Sequence, residues 1–264
     1  MALGLPWLKS LLPSLGGAVL FYSRCPLPAN WPVTFERIAR WSPLVGLALG
    51  AGLTLGLSLL DLGGCPPEIR AVFAVAFWVI STGGLHLDGL ADTADGLQIK
   101  DPQRRLEVMR DSLTGAYGAM AIALTLWAKG MALLALFNLP GAWGWLLTLT
   151  WGWARWGQVG AIAWFPYLRT EGKGLIHRRT LEVPEDLLWG LGFLALTTLL
   201  WGILQPGDWE LLLGATILGL GIPPGIALGL AWRLGGHTGD SYGAVVEIAE
   251  AVLLSLYGWL LASF

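Results

Sequence analysis

Charge is what this sequence has least of. Of its 264 residues 13% are Asp, Glu, Lys or Arg, against 55% hydrophobic, whereas a soluble domain carries about 25% charged residues. With a mean hydropathy of +0.63, there is too little charge to coat a water-facing globule. That excludes a conventional soluble enzyme, a disordered regulator and a coiled coil. Sixteen Lys and Arg against eighteen Asp and Glu leave a net charge of −2, so there is no basic footprint for nucleic acid. Two cysteines, Cys25 and Cys65, give neither a disulfide framework nor metal-ligand spacing. What is present is the composition of an all-α, polytopic integral membrane helix bundle, one domain over 1–264.

A bilayer-crossing helix needs about 20 mostly apolar residues. Segments 43–61, 69–87, 117–139, 142–165, 187–204, 209–231 and 244–262 predict seven spans. An eighth candidate, 5–22, is interrupted by Pro6, Lys9 and Pro13 and either spans or lies at the interface. A lysine inside its apolar run and the lack of a small-residue cleavage site mark it as a retained segment rather than a signal peptide. The connections alternate between short, nearly uncharged ones (62–68, 140–141, 205–208) and long, charged ones (23–42, 88–116, 166–186, 232–243). The long set holds Arg24, Arg37, Arg40, Lys100, Arg104, Arg105, Arg110, Arg169, Lys173, Arg178, Arg179 and Arg233, twelve of the sixteen cations. This predicts that the charged face is cytoplasmic. Cys25 and Cys65 then lie on opposite faces and cannot pair. Glycines within the spans suit close helix packing, and tryptophans near the span ends suit interfacial anchoring.

The most informative stretch runs from Thr82 to Gly96 and holds Asp88, Asp92 and Asp95. Their i, i+4, i+7 spacing puts them within about 60° of one helical face. Nothing basic lies among them, and like charges this close favour a cation between them; all-oxygen ligation suits Mg²⁺ or Mn²⁺. The competing reading is a solvated acidic turn. Against it, the acids follow directly on an apolar run, where unpaired carboxylates are costly. His86 points off this face, with a helix-packing hydrogen bond at least as well supported as a catalytic role. Arg110, Asp111 and Ser112 sit just before the next span, at the depth of the aspartates. Asp240 and Glu247 share the i, i+7 relation and, with Glu250, read as ligands or proton handlers. Arg155, inside a span, is expected to line the active cavity, and Lys129 to snorkel. All the polar groups gather at one face, which favours an enzyme over a transporter with midplane sites.

These residues resemble the cobalamin synthase family, also called cobalamin-5′-phosphate synthase or adenosylcobinamide-GDP ribazoletransferase. The resemblance runs through 21–28, Pro43 to Gly46 with Gly50, 83–96, 106–112, Tyr167 to Arg169 with Glu171, Gly172 and Gly174, and Gly235, Gly236, Thr238 to Asp240. Ser23, where the family usually has threonine, and the loop 173–179 depart from it, so Arg178 and Arg179 take no role. The resemblance implies the last assembly step of the cobalamin nucleotide loop in a bacterial or archaeal plasma (inner) membrane. Adenosylcobinamide-GDP and α-ribazole (or its 5′-phosphate) would give adenosylcobalamin (or its 5′-phosphate) plus GMP, with Mg²⁺. Asp88, Asp92, Asp95, Arg110 and Asp240 would be catalytic, and Asp88, Asp92, Asp95, Asp240 and Glu247 would hold metal. Arg24, Asp111, Ser112, Tyr117, Arg155, Tyr167, Arg169, Glu171, Gly174 and Thr238 would bind substrate. Self-association is left open. The alternative is a CDP-alcohol phosphotransferase of phospholipid synthesis, which also begins its motif Asp-Gly; here, however, no arginine follows Ala91.

Overall fold

The computed structural model describes residues 6–138 and 141–261. Residue 5, residues 139–140 and residue 262, at the edges of expected segments, lie outside the described residues. The described residues form eleven α-helices and no strand, apart from one isolated parallel bridge between Tyr167 and His237. In chain order the helices are α1 (Pro6–Tyr22), α2 (Ser42–Leu62), α3 (Pro67–Thr82), α4 (Leu85–Leu97), α5 (Pro102–Val108), α6 (Ala116–Phe137), α7 (Trp143–Trp164), α8 (Lys173–Thr180), α9 (Glu185–Leu204), α10 (Trp209–Leu234) and α11 (Gly239–Leu261).

Helix α7 is the axis of the bundle. Every residue from Leu146 to Ile162 is buried, and α2, α9, α10 and α11 surround it. Small residues allow the approach: a side chain on Gly46 or Gly50 would strike α7 at Trp151 or Thr148, and one on Gly219 would strike Trp153. Without a hydrophobic drive between helices in lipid, such close contact is the main source of packing energy. Proline at the first helical positions starts α2, α3 and α5, where its missing N–H costs nothing.

The sequence reading counts seven or eight spans, and the structure revises that number. Five described helical stretches are both long and apolar enough to cross a membrane, and a sixth arises if α3 and α4 count as one broken span. Helix α7 has the length, about 33 Å at 1.5 Å per residue, but its tryptophans, glycines and Arg155 make it less apolar. Its neighbours shield it from lipid, so it needs less apolarity. At 17 residues α1 is a short apolar helix. The expected straight span 69–87 is bent by 88°, because Gly83 and Gly84 both adopt left-handed backbone, φ 63° and 72°, a region open to glycine without a steric penalty. The bend turns α4 away from α3 and presents the aspartates at the end of the bundle.

The four charged connections meet at that end, as the alternation predicted. Arg24 N–H donates to the Ser81 carbonyl (2.7 Å). Arg37 pairs with Asp186 (2.7 Å) and with Glu182. Arg105 Nη1 reaches the Arg233 carbonyl (3.1 Å). Across the bridge, Leu168 N–H donates to the His237 carbonyl at 2.8 Å and His237 N–H donates to the Pro166 carbonyl at 2.9 Å. The opposite end is held by simpler contacts, such as Arg70 with Asp61 (3.1 Å) and Trp201 Nε1–H to Asp208 (3.0 Å).

Candidate functional site

Helix α4 packs on α11 and α6, and glycines set how closely. A side chain on Gly89 would collide with the backbone of Asp240, and one on Gly243 with the backbone of His86. The first turn of α11 therefore lies directly on α4, bringing Asp240 to the aspartate face. Asp92 is half-buried and feels the charges of Asp240, Asp88, Arg169 and Asp95. Asp88 is exposed. Neither the Asp88 nor the Asp92 carboxylate has a hydrogen bond or ion pair among the described residues, whereas the Asp240 carboxylate is held by Arg169 at 2.6 Å and by Thr238 Oγ1 at 3.4 Å. Arg169 also donates to the Met109 carbonyl (3.0 Å) and keeps a buried Nε without a partner.

Behind this rim lies a cavity of about 280 Å³, lined by Asp88, Tyr167, Arg169 and Asp240 and by the deeper His86, Gln158, His177 and Tyr242. Gly174 closes one side, since a side chain there would strike the Tyr167 hydroxyl and Gly239. A second, more apolar cavity of about 390 Å³ adjoins it and is lined by Arg24, Phe35 and Ile38; Phe21, Leu85, Lys173 and His177 line both cavities. Burial pushes the His177 imidazole down to about 4, and His237 to about 4 against a weaker opposing bond to the Ala227 carbonyl; it raises the Tyr167 phenol.

The structure brings together Asp88, Asp92, Asp240, Tyr167, Arg169, Gly174 and Thr238. Arg110 stands nearby and faces Glu171 at 3.6 Å. Arg24 borders the adjoining cavity. Asp111, Ser112 and Tyr117 are exposed, and Asp111 accepts a bond from its own loop at Leu113.

Other expectations need correcting. Asp95 uses one carboxylate oxygen for Gly115 N–H (2.7 Å) and the other for Gly118 N–H (2.8 Å), so it caps the start of α6. Glu247 pairs with Lys129 (2.7 Å) inside the bundle. Arg155 is fully buried and donates to Glu250 (2.9 Å) and to the Trp151 carbonyl (3.1 Å) rather than lining the cavity. Lys129 does not snorkel: it is 1% exposed and also contacts Glu250 (2.6 Å). His86 makes no packing hydrogen bond, for both ring nitrogens are buried without a partner. Accordingly, among the described residues no three His, Cys, Asp or Glu side chains converge on a single metal position. Sequence reasoning missed Gln158, His177 and Tyr242 as cavity-lining residues; a glutamine inside a largely apolar and aromatic helix was the available signal for the first.

Fold and site define a polytopic helical membrane protein with one furnished, carboxylate-lined face. The chain belongs to the cobalamin-5-phosphate synthase family, whose model matches residues 14–258, and it is a transferase enzyme of cobalamin nucleotide-loop assembly. Proteins named adenosylcobinamide-GDP ribazoletransferase from Synechocystis sp. and Trichormus variabilis are similar to it. The first is 46% identical over 245 residues, 91% of this chain and 92% of the relative. The second is 44% identical over 252 residues, 93% and 96%. One of the same name from Desulfitobacterium hafniense is 36% identical over 90% of this chain and 93% of its own length. No solved structure matches the chain.

Proposed function

We propose that the protein joins adenosylcobinamide-GDP to α-ribazole or its 5′-phosphate, forming adenosylcobalamin or its 5′-phosphate and releasing GMP. The observation that carries this reading is the pair of unpartnered carboxylates, Asp88 and Asp92, beside the Arg169–Asp240 pair, with Asp88, Arg169 and Asp240 lining a cavity. A ribose hydroxyl oxygen of the acceptor attacks the phosphorus nearer the cobinamide, the bond from that phosphorus to GMP breaks, and the hydroxyl proton passes to one of the free carboxylates. Arg169, which lines the cavity, and the exposed Arg110 clamp phosphate oxygens. Positioning and charge neutralisation dominate this kind of transfer.

The donor set, all oxygen and unpaired, fits Mg²⁺, which is commonly held by one or two carboxylates together with substrate phosphates. Asp88 and Asp92 would hold it, and when bound it neutralises charge on the diphosphate. The loops bearing twelve of sixteen cations support a cytoplasmic position for this end, in the plasma membrane.

Asp88→Ala and Asp92→Ala are expected to lower GMP release at least about 10³-fold, with the thermal midpoint of the purified protein unchanged. Near-normal turnover in either variant overturns the assignment. Turnover of CDP-diacylglycerol with an alcohol acceptor would point to the phospholipid chemistry instead.

A further inference from the structure

Three residues that line the 280 Å³ cavity carry buried polar atoms that nothing in the protein satisfies. His86, Gln158 and Tyr242 line it and are 2%, 5% and 2% exposed. Both ring nitrogens of His86, Oε1 of Gln158 and the hydroxyl of Tyr242 are buried without a hydrogen-bond partner. A buried polar atom left unpaired costs about 1–3 kcal/mol, and four on residues lining one cavity call for an occupant that the side chains can turn to meet. His237 shows the contrast. It neighbours Tyr242, yet its two nitrogens are satisfied by Ser241 and by the Ala227 carbonyl.

Aromatic rings make up part of the remaining wall, beside glycines and the charged rim. His86 and His177 belong to a ring group organised by Tyr22, with centroids 6.4 and 5.8 Å from its ring, both stacked at 27°. Tyr167 and Tyr242 form a second group, 6.0 Å apart and tilted by 30°. Members of both groups line the cavity. Flat π-faces with donors and acceptors between them suit a planar ring that carries nitrogen or oxygen at its edge. The volume lies just below the range of about 300–1,000 Å³ usual for small-molecule sites, enough for one base and too small for a corrin macrocycle. The rim of the same cavity carries Asp88 and Arg169, which keeps whatever the cavity holds within reach of a transferring phosphate.

We infer that His86, Gln158 and Tyr242 form a base-binding well that takes the heteroaromatic base of a nucleoside during the transfer. The inference rests on the proposed reaction, which supplies two nucleosides, the acceptor α-ribazole and the guanosine of the leaving GMP. The chemistry shared by both is a flat heterocycle on a ribose.

The test is equilibrium binding of α-ribazole, GMP and the base-free control ribose 5-phosphate to nanodisc-embedded protein, with Tyr242→Phe and Gln158→Met alongside wild type. Each variant is expected to weaken binding of at least one nucleoside by about three- to tenfold, the worth of one hydrogen bond, and to leave ribose 5-phosphate binding unchanged. Loss confined to α-ribazole assigns the well to the acceptor, and loss confined to GMP assigns it to the leaving group. The thermal midpoint of the empty protein should hold or rise, because each change removes an unpaired polar atom; a fall would mark a structural role and overturn the inference. Unchanged nucleoside binding would overturn it as well. Turnover measured in parallel separates the two readings. Normal turnover with variant-insensitive binding rejects the well alone, whereas variant-sensitive binding without transfer from adenosylcobinamide-GDP rejects the reaction alone.

Discussion

Two groups of ionised side chains lie along α11, and they solve the cost of charge in opposite ways. Deep in the bundle, Lys129 and Arg155 face Glu247 and Glu250, two cations against two acids, with Trp78 Nε1–H donating to Glu250 at 2.6 Å and Trp78 lying under the Lys129 ammonium. At the end of the bundle, Asp88 and Asp92 stand beside Asp240, and Arg169 is the cation paired with that face. The first group is closed by its own charges. The second is left open, as the proposed reaction requires, where a cation and phosphates would complete it. An ionisable residue in a membrane segment is by default a functional hypothesis; Lys129, Arg155 and Glu247 instead pair with one another or with Glu250, and the proposal rests on the acids where the bundle meets water.

The largest expected effects cross this comparison. Losing Asp88 or Asp92 removes turnover without loss of stability, as argued above. Lys129→Met should do the reverse at first, leaving two buried glutamates with one cation. Breaking a buried pair from one side costs about 3–5 kcal/mol, to be read as a lowered midpoint of unfolding in mixed detergent micelles. Adding Glu247→Leu removes the orphaned charge while Arg155 still holds Glu250, so the double variant should regain most of that loss. If the single variant is as stable as wild type, the buried group is not the closed unit described.

Much of this division was hidden in the sequence for a physical reason. The face formed by Asp88, Asp92 and Asp95 follows from helical spacing, and the gathering of charged loops follows from the alternation of long and short connections. Both are local or additive properties. The partners of Lys129 and Arg155 lie 95 to 121 positions away on α11, and no spacing rule connects helices so far apart. Asp95 joined the metal set on periodicity, but its capping role depends on Gly115 and Gly118, about 20 residues on. The bend at Gly83 and Gly84 was masked because the apolar run continues past it to Leu87.

A third way of avoiding buried charge sharpens the comparison through pH. His177 and His237, at the same end as the open acids, stay neutral through burial, their imidazoles pushed from 6.5 to about 4. The unfolded chain takes up these protons below about 6.5 and the folded one only near 4. The stability they contribute is therefore complete above pH 6.5 and lost as pH falls toward 4, on the order of 3 kcal/mol for each. Thermal midpoints measured across that window should fall with acid, and His177→Gln should flatten the slope. A slope unchanged by that substitution would mean that His177 protonates freely in the folded state.

The smallest effect concerns the rim. Glu171 faces Arg110 at 3.6 Å, and the two side chains are 77% and 49% exposed. Exposed pairs of this kind contribute about 0–1 kcal/mol, because water screens the attraction and two long side chains must be held still. Glu171→Gln should therefore shift stability by less than about 1 kcal/mol and alter the KM for adenosylcobinamide-GDP by less than about threefold. Arg110 keeps its charge and its reach in this variant, and the phosphates are the partner it is expected to prefer. A rise in KM beyond about tenfold with stability intact would instead place Glu171 in direct contact with the substrate, adding an acid to the open face that the geometry assigns to Asp88 and Asp92.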